Sequence, residues 1–160
     1  MKEAPVTNRL RETEGGRGMR TVAGLCGGAI AWLLIATIGN LALRLSWPAY
    51  VAVENEMTFT LGMQVARLLL GALASLGAGA TVAWITKGSR RAPMLLAGIL
   101  LVLFLPVHYQ LWDKFPVWYH VVFLSSLVVM TLLGAMLYRR GAPAGPPLQP
   151  EVTELHDGSR

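Results

Sequence analysis

The chain has little cysteine, little charge and few acidic residues. Cys26 is its only cysteine, which excludes an internal disulfide framework and a cysteine-rich zinc site. Only 14% of the 160 residues are charged, 54% are hydrophobic, and the mean hydropathy is +0.49. The sequence also lacks a phosphate-binding loop, a zinc-protease motif and a nucleophile elbow. It is too apolar for a soluble domain of this length, so the composition predicts a membrane protein and indicates no particular reaction.

Long uncharged runs are the main feature that the sequence does contain. A helix of about 20 apolar residues crosses roughly 30 Å of hydrocarbon. Four such runs predict transmembrane helices at residues 21–43, 60–86, 93–112 and 116–138. The predicted fold is therefore an all-α integral membrane protein, a four-transmembrane-helix bundle with disordered tails at residues 1–20 and 139–160. Both tails are polar and glycine-rich, and neither can bury enough apolar surface to order itself.

The charges of the loops predict how the bundle is inserted. Basic residues cluster in both tails and in the short loop at 87–92, whereas the loops at 44–59 and 113–115 contain only Arg44 and Lys114. By the positive-inside rule, both termini and the 87–92 loop face the cytoplasm of a bacterial inner membrane, and the other loops face outward. The lipid bilayer is the expected partner. Other membrane proteins or a second copy are further candidates, and no nucleic acid is expected.

Small residues at four-residue spacing predict close contacts between helices. Gly71, Ser75 and Gly79 lie along one face of the second span, and Gly24 and Gly28 have the same spacing in the first. Small side chains let another helix backbone approach closely. We expect these faces to pack the bundle of a single chain, with a dimer as the alternative.

Polar residues are concentrated in the outer half of the predicted bundle. Two sets share a helix face each: Thr37, Asn40 and Arg44 in the first span, and Thr60, Gln64 and Arg67 in the second. An uncompensated charge in hydrocarbon costs roughly 2.5–3.5 kcal/mol, so Arg67 needs a partner or water. We expect a salt bridge to Glu54, Glu56 or Asp113, or extension of the side chain to the interface. A cationic recess for an anionic or quinone-like ligand, with Gln64 and Asn40, is the alternative.

Two histidines flank the hairpin between the third and fourth spans, within the stretch HYQLWDKFPVWYH. His108 and His120 each lie about four residues from the hairpin tip, which predicts similar depths on antiparallel helices. The first interpretation is structural, with no cofactor. A haem or a divalent metal, the latter with Asp113 as a third candidate ligand, is the alternative. The outer interfacial aromatic belt is predicted to contain Trp47, Tyr50, Tyr109, Trp112, Trp118 and Tyr119.

Three functions are compatible with these patterns. The first is a non-enzymatic accessory or interaction subunit with a polar cluster in the outer half of the bundle. The second is an outward-facing redox or ligand-binding protein that uses His108, His120 and Arg67. The third is a small transporter or channel. Small four-helix multidrug transporters are built around an acidic residue inside the membrane, whereas here every Asp and Glu lies in a predicted loop or tail. We expect the first function, and we favour a non-enzymatic protein over an enzyme.

Overall fold

The computed structural model describes the backbone of residues 5–141 and the side chains of residues 16–141. Its regular structure is helical throughout: α1 (Pro5–Ser46), α2 (Pro48–Glu54), α3 (Leu61–Ile85), α4 (Arg91–Gln110) and α5 (Val117–Gly141). All except α2 are long and apolar enough to cross a membrane, and the span within α1 is Gly16–Ser46. The prediction of an all-α, four-span membrane bundle is confirmed. The ends of α3, α4 and α5 lie within three residues of the predicted ends.

The first helix starts well before the predicted span. Proline suits the first turn of a helix because its missing N–H would be unpaired there anyway, and α1 begins at Pro5. The next proline along the chain is Pro48, so no residue with a strong breaking effect interrupts α1 before the membrane. Helical geometry therefore covers most of the segment predicted as an N-terminal tail. The tail predictions for residues 1–4 and 142–160 lie outside the described residues.

The short helix α2 was not predicted from the sequence. It follows α1 directly, with Pro48 in its first turn, and runs for seven residues. Its seven residues make fewer than two helical turns, which is too short a window to recognise a helical pattern of apolar residues, so its sequence looks like a loop. Its Tyr50 is completely buried, which ties the segment to the bundle.

The helix α3 is the centre of the bundle. It packs mainly against α5 and α1, and α4 completes the bundle by packing on α5 and touching α1. We call the end that carries residues 47–60 and 111–116 the distal end, and the end that carries the turn at 86–90 the proximal end. Two buried apolar clusters follow the bundle axis, a larger central one around Ala78 and Leu127 and a distal aromatic one around Tyr50.

Glycines set the distance between α3 and α5. A Cβ atom at Gly79 would collide with the backbone of Thr131, and one at Gly134 would collide with the backbone of Leu76. Since a backbone cannot rotate away as a side chain can, only glycine allows this crossing. Association of helices in lipid depends on such close packing, because lipid tails are as apolar as the side chains.

The other small residues named from the sequence also pack within the chain. A Cβ atom at Gly71 would approach the Phe123 ring at 2.9 Å, and one at Gly24 would approach Thr86 Cγ2 at 2.5 Å. A Cβ at Gly28 would meet Leu96 Cδ2 at 2.8 Å.

Candidate functional site

The arginine of α3 is held by aromatic residues at the distal end. Arg67 Nη1 donates a hydrogen bond to the Tyr50 hydroxyl at 2.7 Å. Its guanidinium carbon lies 4.8 Å from the centroid of the Phe59 ring, within the range of a cation–π contact. Phe59 is 6% exposed, so the guanidinium rests on a buried aromatic surface.

The Tyr50 hydroxyl connects three helices. It accepts from Arg67 on α3 and donates to Asn40 Oδ1 on α1 at 3.2 Å, while Tyr50 itself belongs to α2. This chain of hydrogen bonds satisfies the phenol completely, because a hydroxyl has one proton to donate. The polar groups of Arg67, Tyr50 and Asn40 thereby fix α2 against the two long helices beside it.

The prediction of a salt bridge between Arg67 and a carboxylate is wrong within the described residues. No described carboxylate lies within 4.0 Å of Arg67, and Glu54 instead pairs with Arg44 Nε at 3.1 Å. Glu54 lies one helical turn after Tyr50, where Arg44 of α1 reaches its carboxylate. The Nε atom of Arg67 is buried and has no hydrogen-bond partner in this part of the chain.

Gln64 forms hydrogen bonds with the loop that precedes α3. Its Nε2 donates to the backbone carbonyl of Phe59 at 3.1 Å, and its backbone N–H donates to the carbonyl of Thr60. These two bonds hold the loop before α3 in place. The structure therefore groups Arg67 and Asn40 around Tyr50 but directs the amide of Gln64 to the backbone.

The two histidines contact each other directly. His108 Nδ1 and His120 Nδ1 lie 2.7 Å apart, and the rings are edge to face with their centroids 5.0 Å apart. Both side chains are buried, at 5% and 1% exposure. Because one nitrogen must donate and the other must accept, at least one ring of the pair is neutral.

Aromatic rings enclose the histidine pair. The Trp112 ring stacks on His120 with centroids 4.9 Å apart, and the Phe123 ring lies 4.6 Å from His108. The Phe115 and Tyr119 rings pack around His120 at about 6 Å. His120 Nε2 is buried without a hydrogen-bond partner in the described structure. The pair is thus a polar contact inside an aromatic cage.

The two Nδ1 atoms are too close together to supply both axial ligands of a haem, which was the alternative interpretation of these histidines. The two axial nitrogens of a haem lie on opposite faces of its ring, about 4 Å apart if each bond to the metal is about 2.0–2.1 Å. The two Nδ1 atoms are closer than that, at 2.7 Å. Asp113 is exposed. Within the described residues, no three His, Cys, Asp or Glu side chains come together as a metal-binding group.

Ser75 carries a second polar contact between helices. The indole Nε1 of Trp32 on α1 donates to Ser75 Oγ at 3.1 Å, and this hydroxyl donates to the carbonyl of Gly71 at 2.8 Å. Ser75 was named from the sequence only as a small residue on a packing face. Its hydroxyl in addition joins α1 to α3 in the buried centre of the bundle.

The face of α1 that points away from the bundle carries a partly polar groove. The groove has a volume of about 400 Å³ and is lined by Trp32, Leu33, Ala36, Thr37, Asn40, Leu41 and Arg44. Thr37 is exposed on this face, and the side chain of Arg44 is 50% exposed. The spacing of Thr37, Asn40 and Arg44 predicted a shared helix face, and that face points partly away from the bundle.

Several residues of the site could not be recognised from the sequence. Tyr50 and Tyr119 were assigned to the interfacial belt, but they are buried, at 0% and 4% exposure. Tyr109 and Trp112, at 82% and 51%, remain on the surface. The one available signal was Pro48, which can start a helix and thereby turn Tyr50 toward the bundle.

These features define a multi-pass membrane bundle with buried and partly buried polar side chains at its distal end. We call this set the distal network; its members are Asn40, Tyr50, Arg67, His108 and His120. No protein-family model, curated protein or solved structure matches the chain.

Proposed function

We propose that the protein is a non-enzymatic accessory subunit of the bacterial plasma membrane, which binds another integral membrane protein through α1. The observation that supports this function is the groove on α1, with Thr37, Asn40 and Arg44 along it. Polar residues in membrane helices usually face the interior of an assembly, where they form hydrogen bonds to neighbouring helices. A partner helix in the groove would supply such neighbours.

The apolar surface of α1 alone would not support a partner, because lipid covers apolar side chains equally well. The buried share of the span is lower for α1, at 17%, than for α3, at 44%. What distinguishes α1 is the combination of a large free face with polar groups on it. Asn40 Oδ1 and Arg44 Nε already have partners in the chain, which leaves Thr37 and the other donors of these two side chains for a partner. Arg44 lies near the helix end and can reach the interface, whereas Thr37 lies two turns deeper.

The distal network supports a binding role in preference to a catalytic one. The guanidinium of Arg67 bonds to a phenol, and the two imidazoles bond to each other. These contacts between side chains of different helices stabilise one arrangement of the helices, although Arg67 Nε and His120 Nε2 take no part in them. In this proposal the network holds α2 and the distal half of α1 in a shape that a partner recognises.

Both termini are proposed to lie in the cytoplasm. The support is the distribution of charge: Lys87, Arg90, Arg91, Arg139 and Arg140 all lie at the proximal end. The distal segments contain Glu54, Glu56 and Asp113. Acidic residues have little influence on which side of the membrane a loop occupies, whereas basic residues keep a loop in the cytoplasm.

Photo-crosslinking in native membranes tests the proposed function. A photoreactive residue at position 41, inside the groove, is compared with one at position 103, where Leu103 is 61% exposed on α4. We expect position 41 alone to crosslink to one protein of discrete mass, and we expect Thr37→Leu to weaken that crosslink. Equal labelling of lipid from both positions would contradict the proposal, and a crosslinked pair of identical chains would replace it by self-association.

Native mass spectrometry separates this function from the ligand-binding alternative. The protein released gently from its membrane should carry no extra small-molecule mass that depends on the distal network. A bound mass that is lost in both His108→Ala and Arg67→Leu would favour the alternative.

A further inference from the structure

A second groove lies at the proximal end, between the start of α4 and the end of α5. Its volume is about 620 Å³, and it is lined by Arg90, Pro93, Met94, Leu132, Ala135, Met136, Arg139 and Arg140. It lies on other helices and at the other end of the bundle from the α1 groove. An inference drawn from it does not depend on the partner proposed for α1, and it shares with the proposed function only the cytoplasmic placement of this end.

Three guanidinium groups surround this proximal groove. Arg90 and Arg140 are exposed and free to reorient, whereas Arg139 is half-buried. Arg139 Nη1 is fully buried and has no hydrogen-bond partner in the described structure. A buried N–H of a charged group without an acceptor is costly, so a reorientation of the Arg139 guanidinium toward an anion in the groove would relieve an unpaired donor.

The turn before α4 holds Arg139 in position. Lys87 and Gly88 both have positive φ, at 52° and 81°, and the Gly88 N–H donates to the carbonyl of Ala83. This pattern is a Schellman motif that ends α3. A Cβ atom at Gly88 would lie 3.6 Å from Arg139 Cγ, so the stem of Arg139 passes close beside the turn.

No described carboxylate neutralises this end of the bundle. The acidic residues with described side chains are Glu54, Glu56 and Asp113, all in distal segments. The first turn of α4 contains no acidic residue, and no side chain caps it at Arg90. The positive end of the α4 dipole is offset by the negative end of the α5 dipole beside it, so the positive field of the groove comes from the arginines.

The floor and the edges of the proximal groove are apolar. Pro93 and Ala135 are buried beneath it, while Met94 and Met136 flank it with exposures of 63% and 42%. These methionines belong to membrane-spanning helices and face the lipid. An anion bound here would therefore have hydrocarbon directly beside it.

We propose that the proximal groove binds one anionic phospholipid, with its phosphate on Arg90, Arg139 and Arg140 and its acyl chains along Met94 and Met136. Guanidinium groups bind phosphate oxygens through paired hydrogen bonds. Basic recesses between membrane helices on the cytoplasmic side are suited to anionic headgroups. A free phosphate would use the arginines alone and would leave the apolar edges without a role.

The test measures lipid retained by the full chain. Protein is reconstituted in discs that contain phosphatidylglycerol and phosphatidylcholine, released into mild detergent and analysed by native mass spectrometry. We expect the wild type to retain one phosphatidylglycerol in preference to phosphatidylcholine. The variant Arg90→Gln/Arg140→Gln changes two exposed residues, so folding should be preserved. It should retain phosphatidylglycerol about tenfold less well, since each basic residue contributes to the attraction of anionic lipid.

A matched control separates the groove from general charge. Arg17→Gln/Arg20→Gln removes the same number of charges from exposed positions of α1, outside the groove. We expect this variant to retain phosphatidylglycerol like the wild type. Equal losses in the two variants, or equal retention of both lipids by the wild type, would overturn the proposal. Displacement of the lipid by inorganic phosphate would also overturn it, because the site would then be one for the free anion.

Discussion

Arg67 and Tyr50 form a hydrogen bond of 2.7 Å that places a cation of α3 on a phenol of α2. The usual partner of a buried arginine is a carboxylate, but here the nearby Glu54 belongs to Arg44. A phenol and an aromatic face stabilise the guanidinium without a second charge, so the distal end avoids the desolvation of a buried ion pair. This contact is one of three that hold α2, beside the ion pair of Glu54 with Arg44 and the packing of the Tyr50 ring in the distal aromatic cluster.

Tyr50→Phe should destabilise the protein and loosen α2. The change removes the acceptor of Arg67 and the donor to Asn40 in one step, and an unpaired buried polar group costs about 1–3 kcal/mol. We expect a lower midpoint of thermal unfolding in detergent and faster proteolysis within residues 47–60. Tyr109→Phe is the matched control, because Tyr109 is 82% exposed. Equal effects of both substitutions would show that the Tyr50 hydroxyl is not the cause.

The contact between His108 and His120 should appear as coupling in a double-mutant cycle. Each single change to leucine leaves the other imidazole buried without its partner, whereas the double change removes both polar groups. Contacting residues typically show coupling of about 0.5–3 kcal/mol. We expect the double variant to lose less stability than the sum of the single losses, measured by reversible unfolding in mixed micelles. Additive losses would contradict a direct bond in the folded protein.

Gly79→Ala should be among the most destabilising single substitutions, because its Cβ meets the backbone of Thr131. Overpacking of a close contact costs roughly 1–3 kcal/mol, and separating α3 from α5 would weaken further contacts along the crossing. Gly98→Ala is the control: its Cβ would meet nothing within 4 Å, and alanine favours a helix more than glycine does. The midpoint of thermal unfolding should be lower than that of the wild type for Gly79→Ala and higher for Gly98→Ala. A Gly79→Ala protein as stable as the wild type would refute the tight crossing.

Trp32→Phe should lower stability by about 1–3 kcal/mol, chiefly because Trp32 is 8% exposed and the smaller ring leaves space in the buried centre beside Phe104. The indole donor to Ser75 disappears, but Ser75 keeps its bond to Gly71, so no hydroxyl is left unpaired. Hydrogen bonds between membrane helices contribute about 0.6 kcal/mol on average. Trp84→Phe, at a position that is 65% exposed, should be close to neutral in the same unfolding assay. A larger effect at Trp84 than at Trp32 would contradict the assignment.

The spans and the depth of the polar residues could be predicted from the sequence because they depend on spacing along single helices. His108 and His120 were expected at matched depth, and the structure brings their nitrogens into contact. The partner of Arg67 could not be predicted, since it lies on a seven-residue helix, which is too short for its apolar pattern to be recognised. Gly134 was missed for another reason: inward and lipid-facing positions of a membrane helix carry the same apolar residue types, so sequence patterns distinguish the faces poorly.

The crossing at Gly79 and Gly134 has a mechanical consequence. Two helices in backbone contact cannot slide past each other without a collision, so α3 and α5 should move as one rigid unit. The helix α1 approaches the α3 backbone less closely: a Cβ at Gly28 would lie 3.3 Å from the Ala78 carbonyl oxygen, whereas one at Gly79 would collide with the backbone of Thr131. Two hydrogen bonds also join α1 to α3, one directly to Ser75 and one through Tyr50. Any adjustment to a force applied from the side should therefore be taken up by α1 and α2, while α3 and α5 keep their shape.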